Sequence, residues 1–169
     1  MQPVSGKVHA DLGRQYDRQG KRPQAAQHYQ QALQWHPDSY ELWMRLGSVY
    51  HRLPDLERAK LCYDRAIALK PHDVAARYHR AMVLNDRGQW AAAIAQYQQA
   101  IDLAGVSDRL DRANAYNNLG CIWVARHQFD RAMAAYQAAR AIEPQSAALH
   151  NNLGQLWLAQ GEIDRAVAA

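Results

Sequence analysis

Apolar and small residues recur along this chain at helical spacing, and the pattern repeats. Trp43, Leu46, Gly47 and Tyr50 fall at i, i+3, i+4 and i+7, one stripe of an α-helix. Ala59, Tyr63, Ala66 and Ile67 form a second stripe. The two predict a helix pair, about Tyr40 to Arg52 and about Leu56 to Leu69. The same phrase returns elsewhere. Leu12-Gly13, Leu46-Gly47, Leu119-Gly120 and Leu153-Gly154 mark four copies, and Arg80-Ala81 marks a weaker one. The small residues are spaced by 34, 34, 39 and 34.

Other columns keep step. Tyr16, Tyr50, Leu84, Trp123 and Trp157 lie four residues beyond each Leu. Then come Ala25, Ala59, Ala93, Ala132 and Ala166, an aromatic column of Tyr29, Tyr63, Tyr97 and Tyr136, and Ala32, Ala66, Ala100 and Ala139. Pro37, Pro71 and Pro144 close three copies, with Gly105 in the third. Proline cannot continue a helix, so it stops the second helix of each pair. One pair cannot bury both of its faces, so neighbouring pairs must stack.

The long third step places five extra residues near 108–112. Ser107 is the expected N-cap and Asp108 suits the first turn, so the next helix should start more than a turn early. The sequence stops at Ala169, inside the second helix of its last copy, and so reads as a fragment. The unfinished face there is a candidate for self-association.

Composition narrows the function classes. Apolar residues make up 49% of the 169, and the net charge is +4. The Lys and Arg side chains are spread over the whole chain, not gathered on one face, which argues against nucleic acid. Two distant cysteines, Cys62 and Cys121, give no disulfide framework and no metal pair. No segment approaches the length of a signal peptide's apolar region or of a membrane span. The expectation is a cytoplasmic protein with no membrane partner. Eight histidines are scattered, none at the i, i+4 spacing of a helical metal pair. No phosphate loop, nucleophile elbow or paired-carboxylate motif occurs, so neither enzyme activity nor a cofactor is expected.

The columns Leu-Gly, Tyr, Ala, aromatic, Ala and Pro at a period of 34 resemble the tetratricopeptide repeat over residues 6–169. The aromatic that opens the motif is present as Trp43 and Tyr116 and is replaced by His9, Arg77 and His150. The resemblance implies an all-α, right-handed superhelical solenoid of antiparallel helix pairs. It divides the chain into copies at 6–39, 40–73, 74–107, 113–146 and 147–169, with 108–112 as an insertion extending the next helix. It also implies that the first helix of each pair lines a concave groove, and that ligands meet repeat positions 2, 5, 6, 9, 12 and 13.

Those positions change character along the chain. In the first two copies they include Lys7, Arg14, Arg18, Arg45 and Arg52 against Asp11, Asp17 and Glu41. The third offers Tyr78 and Met82. The last two carry no charge: Asn114, Asn117, Asn118, Cys121, Val124 and Ala125, then Ala148, Asn151, Asn152, Gln155, Leu158 and Ala159. An amide offers donors and an acceptor, which suits an extended peptide backbone whatever its side chains. The phrase Asn-Asn-Leu-Gly, at 117–120 and 151–154, resembles the asparagine ladder in the repeat arm of O-GlcNAc transferases. Asn118 and Asn152 match the ladder position, while Asp11, Arg45 and His79 occupy it elsewhere. Alternatively, Asn117 and Asn151 cross-link neighbouring helices. The carboxylate clamp that binds chaperone tails in other family members is missing: it needs Lys at position 5 and Asn at position 9, where this chain has no Lys and Arg14, Ser48, Met82, Cys121 and Gln155.

The groove expected to bind a peptide or protein is therefore Asn114, Asn117, Asn118, Asn151, Asn152, Gln155, Tyr78, Met82 and Arg45. The reading is a protein-interaction scaffold. The alternatives are a substrate-recruiting arm of a larger glycosyltransferase or methyltransferase and, suggested only by the basic balance, an RNA-binding helical array.

Overall fold

The computed structural model of the chain describes residues 5–162. Nine helices lie among them: α1 Gly6–Arg18, α2 Arg22–Trp35, α3 Tyr40–Arg52, α4 Leu56–Leu69, α5 Val74–Asp86, α6 Trp90–Leu103, α7 Arg109–Ala125, α8 Phe129–Ile142 and α9 Ala147–Ala159. The expected second helix of the last copy, with Ala166, lies outside the described residues. The chain divides into two compact units between Gln89 and Trp90. That division falls between α5 and α6, inside the copy expected at 74–107.

In the first unit α1 packs on α2 and α3 on α4, and α2 and α4 pack in turn on α3 and α5. In the second, α7 packs on α6 and α8, and α9 on α7 and α8. The periodic columns make the cores. Tyr29 and Tyr63 are fully buried in the first unit; in the second Tyr97 is fully buried and Tyr136 almost wholly so. Each contributes about 1.5–3 kcal/mol by removing its ring from water. The glycine of the Leu-Gly pair makes room for the ring: a Cβ on Gly47 would lie 2.8 Å from Tyr63 Cε1, and one on Gly13 would lie 2.7 Å from Tyr29 Cδ1. Gly120 is pressed against Tyr136 in the same way.

The helix ends follow from local chemistry. Ser39, Asp55, Asp73 and Ser146 accept from the backbone N–H three residues on, satisfying a donor that the helix itself leaves open. α2, α4 and α8 end two residues before Pro37, Pro71 and Pro144. The carbonyls of these prolines are then used. Trp43 Nε1 donates to Pro37 at 2.7 Å, an Arg77 guanidinium nitrogen to Pro71 at 2.6 Å, and His150 Nε2 to Pro144 at 3.0 Å. This explains how Arg77 and His150 replace the motif's opening aromatic: each keeps a nitrogen donor at the same place. Two residues past the ends of α1, α5 and α9 the backbone turns through the left-handed region, at Gly20 (φ 73°), Gly88 (φ 69°) and Gly161 (φ 79°). His127 takes the same position (φ 55°), at a cost of about 1–2 kcal/mol that a glycine would not bear.

α7 has 17 residues where α1, α3, α5 and α9 have 13. Its N-cap is Asp108, not Ser107. The Asp108 carboxylate caps nothing; it accepts from Gly105 N–H at 3.0 Å and from the Ser107 hydroxyl at 3.4 Å. The added turn is held by Arg109, whose Nε donates to the Ile142 carbonyl at 2.9 Å. A cation on the open carbonyls of a helix C-terminus is favourable.

Candidate functional site

The uncharged stretch lies on α7 and α9 in the second unit. Asn114 and Cys121 are exposed on α7; Asn151, Gln155 and Leu158 are exposed on α9. Asn117, Asn118 and Asn152 are half-buried. Asn152 Nδ2 donates to Asn117 Oδ1 at 2.9 Å and to Cys121 Sγ at 3.4 Å, tying α9 to α7. Asn118 Nδ2 donates to the Tyr97 hydroxyl at 3.1 Å, tying α7 to α6. The helix cross-link thus joins Asn117 to Asn152, one residue away from the Asn117–Asn151 pairing considered from the sequence. The two residues at the ladder position spend amide hydrogens inside the protein. Asn114, Asn151 and Gln155 are left facing solvent, and Asn151, Gln155 and Leu158 form one stripe at i, i+4 and i+7.

Two buried tyrosines support this face, a role that the reading of the residues missed. The Tyr97 hydroxyl accepts from Asn118, and the Tyr136 hydroxyl donates to Cys121 Sγ at 3.5 Å. The available signal was the register of the aromatic column, which points each phenol at the first helix of a pair. In the first unit the same column behaves differently: the buried Tyr63 hydroxyl has no hydrogen-bond partner among the described residues. Burial pushes its phenol pKa up. An unsatisfied buried hydroxyl costs about 1–3 kcal/mol. Tyr63→Phe is therefore expected to raise stability by about 1 kcal/mol, or about 2–4 °C in Tm, measured by thermal melting; a lower Tm would mean the hydroxyl has a partner.

Arg45, Tyr78 and Met82 belong to the first unit. All three are half-buried. Tyr78 sits edge-on to His79, with ring centroids 5.3 Å apart. Arg45 pairs with Glu41 at 2.9 Å and lines a hollow of about 320 Å³ with Lys7, Arg14 and Tyr29. The charges expected to make this face basic are largely spent on each other. Arg14 pairs with Asp11 and reaches Glu41 at 4.0 Å, and Arg52 pairs with Asp17 at 2.6 Å. His51 meets Asp86 at 2.6 Å. Such exposed pairs stabilise by about 0–1 kcal/mol each, but they leave less charge to offer a ligand. Three of the links between first helices share one register: Asp17–Arg52, His51–Asp86 and Asn117–Asn152 each span 35 residues, one position beyond the repeat.

The histidines hold one surprise. His9 and His28 place their Nδ1 atoms 2.9 Å apart, and His28 also stacks on Tyr16. Burial, then the neighbouring His9, pushes the His28 pKa down. The pair is 19 apart in sequence, across two helices, so no single-helix spacing rule could find it. No group of three or more His, Cys, Asp or Glu among the described residues could hold a metal ion. Cys62 is buried, and its thiol is pushed up to about 12 by that burial, which makes it a poor nucleophile. No described helix is long and apolar enough to cross a membrane.

Comparison with known proteins agrees with this geometry. The tetratricopeptide repeat family matches residues 73–145 in one form and residues 18–82 and 124–169 in another. Anaphase-promoting complex subunit 3 of Schizosaccharomyces pombe is 31% identical over 112 residues, covering 66% of this chain and 16% of that protein. The first curated relatives share this disproportion, for the chain spans 4% to 17% of their length. Among solved structures, MamA of Desulfovibrio magneticus RS-1 superposes with a TM-score of 0.81 at 20% identity, over 96% of this chain and 89% of that one. YrrB, described as a repeat protein with an unusual peptide-binding site, gives 0.69 at 17% identity, over 95% and 80%. At such identities the likeness is one of fold.

Proposed function

Because this chain belongs to the tetratricopeptide repeat family, we propose that it is a protein-interaction scaffold, and that its ligand is an extended peptide segment lying on α7 and α9. The observation that carries the reading is the row of uncharged, solvent-facing amides, Asn114, Asn151 and Gln155, on two helices joined by the Asn152–Asn117 link. Amides read a peptide backbone without regard to its side chains. Helices tied together before the ligand arrives need no rearrangement on binding.

Magnitudes define the ligand further. A hydrogen bond nets about 0.5–1.5 kcal/mol. Three or four amides therefore supply about 2–6 kcal/mol, short of the roughly 8 kcal/mol of a micromolar complex. Apolar contact with Leu158 and Val124 must add the rest, so the segment is extended and carries apolar residues. Arg45, Tyr78 and Met82 belong to the proposed ligand face of the first unit, with the copies taken as 6–39, 40–73, 74–107, 113–146 and 147–169. A peptide-binding site in YrrB and a place in a multiprotein complex for the anaphase-promoting subunit are in keeping with this class of function.

The test is capture of partners on the immobilised chain beside two variants. Asn151→Ala/Gln155→Ala removes only exposed amides and should leave thermal melting unchanged while partner recovery falls at least about tenfold. Asn118→Ala/Asn152→Ala should lower both recovery and Tm, because it also cuts the links to Tyr97 and Asn117. A partner retained equally by both variants would sink the assignment to α7 and α9. A second reading, the recruiting arm of a larger glycosyltransferase or methyltransferase, rests on Asn118 and Asn152 standing at the ladder position. It is the weaker one, because both residues commit amide hydrogens internally.

A further inference from the structure

A cleft of about 500 Å³ opens in the first unit on the side of α3 away from the groove. At 100° per residue, Trp43 lies about 200° around α3 from Glu41, so the two faces cannot share a ligand. Leu33 of α2 forms one wall, Trp43 and Leu46 of α3 the floor, and Leu61 of α4 the other wall. The volume suits one or two large apolar side chains.

The chain's other copies serve as controls. Leu61 is 61% exposed. The equivalent positions are Gln27, Ala95 and Ala134. Arg65, one turn further along the same face, corresponds to Gln31, Gln99 and Ala138. Helix packing thus asks for neither a large apolar nor a charged residue there. Only this copy has both.

Charge on the rim names the partner's chemistry. Arg58 lies over the Tyr50 ring at 5.6 Å and Arg65 over the Trp43 ring at 5.9 Å. Arg58 has Asp55 at 3.5 Å; Arg65 has no carboxylate partner among the described residues. The acid beside the cleft, Asp64, is already held by Lys60 at 2.7 Å and by Arg80 at 2.5 Å. The rim is left with an excess of guanidinium over an apolar floor.

We propose that this cleft is a second docking site, which takes a peptide segment carrying a Leu or Phe side chain with a carboxylate within the next three residues. The apolar side chain enters between Leu33 and Leu61 and the carboxylate meets Arg65. A guanidinium already held over an indole ring gives up less freedom when it meets a carboxylate.

The experiment uses a fluorescein-labelled peptide, Gly-Ser-Leu-Phe-Glu-Asp-Ser-Gly, titrated with the whole chain and followed by anisotropy. A control peptide replaces Glu and Asp by Lys. The protein variant is Leu61→Gln/Arg65→Gln, which copies the residues the chain itself carries at Gln27 and Gln31; circular dichroism melting checks that it folds as the parent does. The expected result is saturable binding of the acidic peptide, weakened at least about tenfold in the variant and at least about tenfold for the lysine control. Equal binding of the two peptides, equal binding to parent and variant, or no binding to the parent would each overturn the proposal. Self-association that the variant loses, with no peptide bound, would overturn it in favour of a second copy of the chain.

Discussion

Replacing Tyr63 by alanine is expected to cost about 3–5 kcal/mol, a large fraction of the roughly 5–15 kcal/mol that holds a domain together. Tyr63 is fully buried among Leu46, Val49, Ala59 and their neighbours, and its ring stacks on His79 with centroids 5.6 Å apart. The surroundings cannot collapse into the hole, because α3 and α4 are fixed by their own turns and by contacts with α2 and α5. Urea unfolding followed by far-ultraviolet circular dichroism measures the loss as a lower midpoint at unchanged slope. A loss below about 1 kcal/mol would show that the pair closes over the cavity. Because Tyr63→Phe is expected to move stability the other way, the two variants separate the ring from its hydroxyl.

Gly47→Leu is the second large effect, about 1–3 kcal/mol lost by overpacking. Leucine is the better helix former by about 0.5–1 kcal/mol, so a loss would have to be steric. The obstacle is specific: the first carbon of any side chain at position 47 lies 2.8 Å from Tyr63 Cε1 and 3.0 Å from Cζ, and a buried ring packed on all sides has no room to move. The same experiment, repeated in the Tyr63→Ala background, should show the penalty shrink or reverse, because leucine then enters the space the ring has left. Coupling of about 0.5–3 kcal/mol is the range for residues in contact. Strict additivity would mean that the glycine and tyrosine columns recur in register along this chain for unrelated reasons.

Much of the fold could be read from the sequence because each copy restates the same requirements. The Leu-Gly pair, the tyrosine and the alanines each recur at fixed offsets, so α3 and α4 run over the residues expected of them. Bonds made across helices follow no such offset. Asn117 and Asn151 are equivalent residues in two copies, yet it is Asn152 that reaches Asn117, because neighbouring first helices meet one position out of step. From the residues alone, the candidate ligand face could be identified as a patch of amides; which amides stay free depends on the Tyr97 hydroxyl, which reaches that face from the core, and on Cys121, which lies on the face itself. The cleft beside Leu61 was hidden for another reason. A leucine at helical spacing looks like core until the structure shows it 61% exposed.

The register of the links between first helices limits how this chain could change length. In the first unit α1 supplies an acid, Asp17, α3 supplies two bases, His51 and Arg52, and α5 supplies an acid, Asp86. Deleting the middle 34 residues, 40–73, would bring Asp17 opposite Asp86, carboxylate against carboxylate. Duplicating them would set His51 of one copy against the arginine of the next. Unequal recombination, the easiest way for repeated sequence to gain or lose a unit, thus sets two carboxylates together in one direction and takes His51 away from its carboxylate in the other, and the order of these units is constrained by more than their shared core.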